Sequence, residues 1–120
     1  GQAFVSLGTS GVLFAATPNY AAAPESALHS FCHALPGLWH QMGVILSATD
    51  ALNWLAGVLQ EDAQALTGNL GPLQAPSRTI FMPYLGGERT PHNDAQIRAG
   101  FLHLGHATDR NAMVRSVLEG

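Results

Sequence analysis

The segment Gly8-Thr9-Ser10-Gly11, between the apolar runs 3–7 and 12–16, decides the fold of this 120-residue chain. Apolar residues on both sides of a short polar segment predict two strands joined by a tight turn. Glycine lets the backbone bend sharply and approach a ligand closely. The hydroxyls and free amides of such a turn suit an anion, most often a phosphate. An ordinary hairpin turn has the same appearance, so the spacing alone leaves both interpretations open.

Composition limits the possible classes of protein. A hydrophobic fraction of 47% and a charged fraction of 11% argue against disorder and allow one domain with a modest core. The net charge of -3 gives no basic surface for nucleic acid. The five basic residues are all arginines, which excludes a Walker-type phosphate loop with its lysine. The low charge also predicts that part of the surface is covered by a partner.

Cys32 is the only cysteine, so the chain forms no internal disulfide or thiolate zinc site. A single cysteine fits a reducing, cytoplasmic environment. No apolar stretch reaches the length that spans a membrane, and no signal peptide is visible. The chain does not begin with Met, and its first strand and last helix run to the ends. We therefore expect an excised part of a longer protein.

Two hairpins and a helix are predicted in the first half of the chain. Residues 2–7 pair with 11–16, and Leu28–Leu35 pairs with Leu38–Val44 around Pro36-Gly37. The segment 44–60 is predicted to be helical because its apolar positions step by three and four. These positions are Ile45, Ala48, Leu52, Leu55 and Leu59.

The second half is predicted to hold shorter elements around a polar loop, Gly86–Asp94. Gly68 is expected to end a short helix, and either Thr108 or Asp109 is expected to cap the last one. The predicted elements are a helix over Glu61–Leu66, strands over Thr79–Met82 and Phe101–Leu104, and a helix that continues towards Gly120.

Charged and titratable residues offer few candidates for chemistry. Glu88 and Arg89 are either a catalytic acid with its orienting partner or a loop ion pair, and we favour the ion pair. The histidines show no spacing typical of a metal site, so we expect none. They fall into two groups, His29, His33 and His40, and then His92, His103 and His106.

Four blocks of sequence together resemble the FGGY carbohydrate kinases, and within that family the xylulokinase group is the most similar. They are VSLGTSGVLFA (5–15), LSA (46–48), FMPYLGGERTPHND (81–94) and the closing SVLEG (116–120). Their order and spacing match over nearly the whole chain, and GERTPH is the most specific part. The chain departs from the family at Ala99 and His103, where glycine is usual, in a structural strand.

The resemblance implies an α/β fold, namely part of an actin-like ATPase (ribonuclease H-like) domain with a mixed sheet and packed helices. Residues 1–120 would be part of the C-terminal, nucleotide-binding domain of the kinase. The turn corresponds to the family's loop for the β- and γ-phosphates of ATP. The resemblance therefore makes Gly8, Thr9, Ser10 and Gly11 the expected phosphate-binding residues.

Thr49 and Asn53 lie four residues apart, just before Trp54. The resemblance places them at positions of the family that contact the nucleotide. Polar residues beside an apolar helical stripe are also expected without any ligand, so both interpretations remain open for this pair.

The resemblance implies transfer of the γ-phosphoryl group of ATP to D-xylulose, giving xylulose 5-phosphate, with Mg²⁺ at the phosphates. The family's catalytic Asp precedes the phosphate loop and lies upstream of Gly1, so this chain would hold no catalytic residue and no metal ligand. We expect the chain alone to be inactive without the N-terminal domain and the rest of the C-terminal domain. Alternatives are a kinase for ribulose, gluconate or another polyol, and a non-catalytic actin-like nucleotide-binding domain. No nucleic-acid or membrane partner is expected.

Overall fold

A four-stranded antiparallel sheet forms the first part of the computed structural model, which describes Gly1–Gly120. Strands β1 (Ala3–Leu7) and β2 (Gly11–Thr17) form one hairpin, and β3 (His29–Cys32) and β4 (Trp39–Ile45) form another. The strand order is β1-β2-β4-β3. Both predicted hairpins are therefore confirmed, and β4 lies beside β2 along its whole length.

Three helices and a second sheet of two antiparallel strands form the rest of the chain. The helices are α1 (Thr49–Leu59), α2 (Ala63–Gly68) and α3 (Arg110–Glu119), and the strands are β5 (Ile80–Met82) and β6 (Gly100–Leu102). The expected α/β class is confirmed. The buried hydrophobic core lies among these elements and consists of Ala51, Leu55, Ala56, Leu66, Phe81, Val114 and Val117.

Helix α1 begins at Thr49, and the prediction of a helix from residue 44 is wrong. The pairing of β4 with β2 continues to Ile45, which places that residue in the sheet opposite Gly11. The linker 46–49, which ends on the first residue of α1, then leads into the helix. The apolar period of 44–60 did not reveal this boundary, because the pairing that sets it comes from a distant part of the chain.

Side-chain caps set the starts of the other two helices. The carboxylate of Asp62 accepts hydrogen bonds from the backbone N–H groups of Gln64 and Ala65, so α2 begins at Ala63 and extends to Gly68, two residues beyond the predicted end. Of the two candidate caps for α3, the side chain of Asp109 accepts from the N–H of Ala112 at 2.8 Å.

The strands β5 and β6 are shorter than predicted. Strand β6 ends at Leu102, and His103 has a φ of 58°. This left-handed conformation is incompatible with a continuing strand. Strand β5 begins at Ile80, one residue after the predicted start.

The molecule is elongated and buries few of its residues. Its radius of gyration is 17.0 Å, against about 13–14 Å for a compact domain of this length. Only 15 of 120 residues are buried, and the apolar side chains of the first hairpin are largely exposed. Phe4, Val5, Leu7 and Leu13 are each more than half exposed. A surface this apolar is typical of one that another part of a protein covers.

None of the helices has the length and apolar character needed to cross a membrane.

Candidate phosphate-binding turn

The turn between β1 and β2 presents free hydrogen-bond donors. Leu7 pairs with Gly11, which leaves three residues at the tip. The N–H of Gly8 donates to the carbonyl of Ser10 at 3.0 Å, whereas the N–H groups of Thr9 and Ser10 donate to no group of the chain. Thr9 is exposed, and its hydroxyl also makes no hydrogen bond within the protein. Two amides and one hydroxyl are therefore available to a ligand.

The carbonyl groups of the same turn are occupied by the start of α1. Thr9 O accepts from the N–H of Ala48 at 2.8 Å and from that of Asp50 at 3.4 Å. Gly8 O accepts from the N–H of Thr49 at 3.0 Å. The positive end of the helix dipole thus faces the carbonyl side of the turn. With these acceptors satisfied and its donors free, the turn suits an anion.

Two hydroxyl groups fasten the turn to its neighbours. Ser10 Oγ donates to the carbonyl of Leu46 at 3.1 Å, and Thr49 Oγ1 donates to Gly8 O at 2.7 Å. Both hydroxyl hydrogens are thus used within the chain. The roles of Ser10 and Thr49 as nucleotide contacts stay predictions, since each hydroxyl now has a bracing function.

Gly11 and Asn53 occupy contrasting surroundings. A Cβ atom on Gly11 would lie 2.7 Å from Cγ1 of Ile45, so any other residue there would displace the Ile45 side chain. Asn53 is exposed on α1, one helical turn beyond Thr49, and its side-chain amide makes no hydrogen bond within the chain. The Asn53 amide is therefore free to contact a ligand.

Two cavities adjoin the first hairpin, at opposite ends. A cavity of about 250 Å³ is lined by Leu7 and the first turn of α1, including Thr49. Pockets for drug-sized ligands are roughly 300–1,000 Å³, so this one is too small to enclose a whole nucleotide. The larger cavity, about 820 Å³, lies between Phe4, Phe14 and Leu38 and does not include the turn. We therefore place the candidate site at the turn.

The ion pair expected between Glu88 and Arg89 does not form, and that prediction is wrong. Glu88 is only 4% exposed, and its Oε1 accepts from the backbone N–H of Leu46 at 3.0 Å and from that of Arg89 at 2.7 Å. The one salt bridge of the structure joins Arg110 and Glu61 instead. The Glu88 carboxylate faces the backbone of Leu46, and no acidic group lies within ion-pair distance of Arg89.

Thr90 extends the same contact along the edge of β4. Its N–H donates to the carbonyl of Val44 at 3.0 Å, and its Oγ1 accepts from the N–H of Val44 at 3.0 Å. Thr90 Oγ1 also donates to the carbonyl of Ala27 at 3.2 Å. This function of Glu88 and Thr90 was not predicted from the sequence. Nothing in the local pattern marks these contacts, which join residues more than 40 positions apart.

The histidines of the second hairpin pack among aromatic rings. The ring centroids of His33 and His40 are 6.2 Å apart, and His40 stacks on Phe14 at 4.6 Å. No group of three or more His, Cys, Asp or Glu residues is placed to hold a metal ion. These histidines therefore contribute to packing of the sheet surface.

Comparisons with known proteins relate this chain to sugar kinases. The model of the FGGY family of carbohydrate kinases, C-terminal domain, matches residues 3–120. The xylulose kinase of Escherichia coli (strain K12) is 46% identical over 121 residues, which is 99% of this chain and 25% of that protein.

Solved structures give the same relationship. A crystal structure of a "xyloylose kinase" from Brucella ovis has a TM-score of 0.95 and 59% identity, over 98% of this chain and 25% of that one. A gluconate kinase from Lactobacillus acidophilus has a TM-score of 0.86 and 28% identity, over 98% and 25%. The chain thus spans about a quarter of the length of these relatives.

Proposed function

Because this chain belongs to the FGGY family of carbohydrate kinases, we propose that residues 1–120 form part of the C-terminal, nucleotide-binding domain of an ATP-dependent sugar kinase. The complete protein transfers the γ-phosphoryl group of ATP to D-xylulose and gives xylulose 5-phosphate. The observation that carries the proposal is the turn at Gly8–Gly11, with free amides on one side and satisfied carbonyls on the other. The 46% identity to a xylulose kinase supports the choice of substrate.

In this proposal the turn binds the β- and γ-phosphates. The N–H groups of Thr9 and Ser10 and the hydroxyl of Thr9 donate to phosphate oxygens, where negative charge must be stabilised during transfer. Gly8 and Gly11 allow the close backbone approach. The general base is an Asp outside this chain, which removes the proton of the attacking sugar hydroxyl.

Mg²⁺ is part of the same proposal, since it neutralises and bridges phosphate oxygens in kinase reactions. The residues of this chain offer no cluster of carboxylates to hold it. Any protein ligands of the ion therefore come from elsewhere in the complete protein.

The rest of the protein has a place to pack. Strand β1 pairs only with β2, and its other edge is open. Its side chains Phe4, Val5 and Leu7 are 55%, 62% and 69% exposed. We assign this edge and the apolar surface beside it to the remainder of the nucleotide-binding domain. In this proposal the N-terminal domain binds the sugar and lies opposite the turn, across a cleft between the two domains of the complete protein.

A different acceptor is the second candidate. The structural similarity to a gluconate kinase, with a TM-score of 0.86, favours it. Both candidates use the same phosphate turn, and they differ only in the residues that bind the sugar or sugar acid that accepts the phosphoryl group. A non-catalytic nucleotide-binding domain is the third possibility, and it shares the phosphate turn as well.

The activity of the complete protein tests these candidates. ATP consumption in a coupled assay should be fastest with D-xylulose, with kcat/KM at least about tenfold above that for D-ribulose and D-gluconate, because polar pockets discriminate strongly between hydroxyl patterns. Residues 1–120 alone should show no turnover. A clear preference for gluconate would support the second candidate, and nucleotide binding without turnover on any acceptor would support the third.

Asn53 provides a test of the nucleotide site on α1. Asn53→Ala in the complete protein should raise the Kd for ATP about 5–10-fold, since it removes one hydrogen bond worth about 1 kcal/mol. The melting temperature should hold, because the side chain is exposed and unbonded within the chain. Calorimetric titration and a thermal scan measure both quantities. Gln64→Ala, another exposed helical amide, is the matched control and should change neither. A Kd within twofold of wild type would remove Asn53 from the proposed site.

A further inference from the structure

Glu88 is a buried carboxylate without a cationic partner. It is 4% exposed in the loop between β5 and β6, and the one salt bridge of the structure lies elsewhere. Burial of an acid is costly unless hydrogen bonds compensate. Its Oε1 accepts from two backbone N–H groups, those of Leu46 and Arg89, at 3.0 and 2.7 Å. These two hydrogen bonds therefore hold the carboxylate of Glu88 in place. They also hold the backbone at Leu46 and Arg89.

Leu46 connects Glu88 to the phosphate turn through its own backbone. Its N–H donates to Glu88, and its carbonyl accepts from Ser10 Oγ at 3.1 Å. Farther along the same linker, the N–H groups of Ala48 and Thr49 donate to the carbonyls of the turn at 2.8 and 3.0 Å. The linker 46–49 is thus fastened to Glu88 on one side and to the turn on the other.

The sheet supplies no acceptor for the N–H of Leu46, and Glu88 fills that place. Strand β3 ends its pairing with β4 at His29, opposite Met42, so the edge of β4 is open beyond that point. Thr90 occupies the groups of Val44, and Glu88 occupies the N–H of Leu46. Loss of the carboxylate would leave that partly buried N–H without an acceptor, which favours movement of the linker.

We propose that Glu88 is a positioning residue for the phosphate turn. It acts through Leu46 and the linker 46–49, and it sets the direction of the free amides at Thr9 and Ser10. The identity of the ligand rests on the proposed function, whereas the coupling between Glu88 and the turn rests on the hydrogen bonds alone.

Two substitutions in the complete protein separate the effect of the length of the Glu88 side chain from the effect of its charge. Glu88→Gln keeps an acceptor oxygen at the same distance and removes the charge. Glu88→Asp keeps the charge and withdraws the carboxylate by one methylene. Glu88→Ala removes both, and if it fails to fold, the Gln and Asp variants still decide. Glu25→Ala removes an exposed carboxylate that makes no hydrogen bond or ion pair and is the matched control.

Hydrogen exchange followed by mass spectrometry measures whether Glu88 protects the backbone amides of the linker. In Glu88→Asp, the peptide covering 44–52 should exchange about tenfold faster, because opening of the linker exposes the amides of Ala48 and Thr49. Glu88→Gln should stay within about threefold of wild type, since its oxygen still accepts. Peptides of α3 should be unchanged in both, which separates local positioning from general loss of stability.

Nucleotide binding supplies the second readout. With a fluorescent ADP analogue, Glu88→Asp should raise the Kd about tenfold, in step with its faster exchange, while the KM for the sugar holds. Unchanged exchange in Glu88→Asp, or equal acceleration in the Gln and Asp variants, would overturn the positioning role even if wild type binds nucleotide. Accelerated exchange in Glu88→Asp alone, with no nucleotide binding by wild type, would support positioning and refute the proposed function.

Discussion

Thr9→Val in the complete protein is expected to lower kcat/KM for ATP on the order of 10²-fold, equivalent to about 2–4 kcal/mol of transition-state stabilisation. The substitution keeps the β-branched shape and removes the one hydroxyl of the turn that has no partner within the chain. Donors that are fixed before the reaction lower the barrier most, and this turn is fixed by α1 on its carbonyl side.

The stability of the Thr9→Val protein and its KM for the sugar should match those of the wild type. Thr9 is exposed and supports no core, so the melting temperature should change little, and the KM for the sugar should stay the same. Steady-state kinetics with ATP and xylulose varied separately measure these quantities. Thr17→Val, at the far end of β2, is the control for the loss of a threonine hydroxyl away from the turn; that hydroxyl donates to the carbonyl of Asn19 at 3.0 Å. A kcat/KM for ATP within twofold of wild type in a folded Thr9→Val protein would contradict phosphate binding by this turn.

Phe81→Ala is expected to reduce the free energy of unfolding by about 3–5 kcal/mol. Phe81 is 2% exposed, and its ring lies 4.8 Å from that of Phe101 and 5.9 Å from that of Trp54. Truncation leaves a cavity where β5 packs against α1 and β6. Urea unfolding of the complete protein, followed by tryptophan fluorescence, gives the change.

Phe31 offers the comparison for this core position. It is 46% exposed on β3, so Phe31→Ala should cost much less than Phe81→Ala, about 1 kcal/mol or below. A loss below 1 kcal/mol for Phe81→Ala would mean that the core around β5 does not limit the stability of this domain.

The hairpin at the turn could be predicted from sequence because all its signals are local. Glycines, hydroxyl residues and two apolar runs lie within 16 residues, and the structure has β1 and β2 where they indicate. The start of α1 could not be predicted in this way. Ile45 fits a helical stripe as well as a strand, and its pairing with Gly11 decides between them.

The candidate site was predictable in outline and less so in detail. Thr9 and Ser10 look equivalent in sequence, yet only the Ser10 hydroxyl reaches the carbonyl of Leu46. Likewise, the neighbouring charges of Glu88 and Arg89 favour the prediction of an ion pair. In the structure, Oε1 of Glu88 instead accepts from the N–H of Leu46, 42 residues away. Such long-range contacts leave no periodic pattern along the chain, so local signals could not distinguish a donor used in bracing from one left free.

The contacts between the turn and the start of α1 have a consequence for how this region can vary during evolution. They join carbonyls of the turn to main-chain N–H groups of residues 48–50, and nearly every amino acid supplies an N–H. The side chain of Ala48 can therefore vary among homologues while the turn stays in place, whereas that of Asp50 also accepts from Ser47 Oγ at 3.4 Å. Substitution counts at these positions would understate their importance, and a proline, which lacks the N–H, is the replacement that selection should remove.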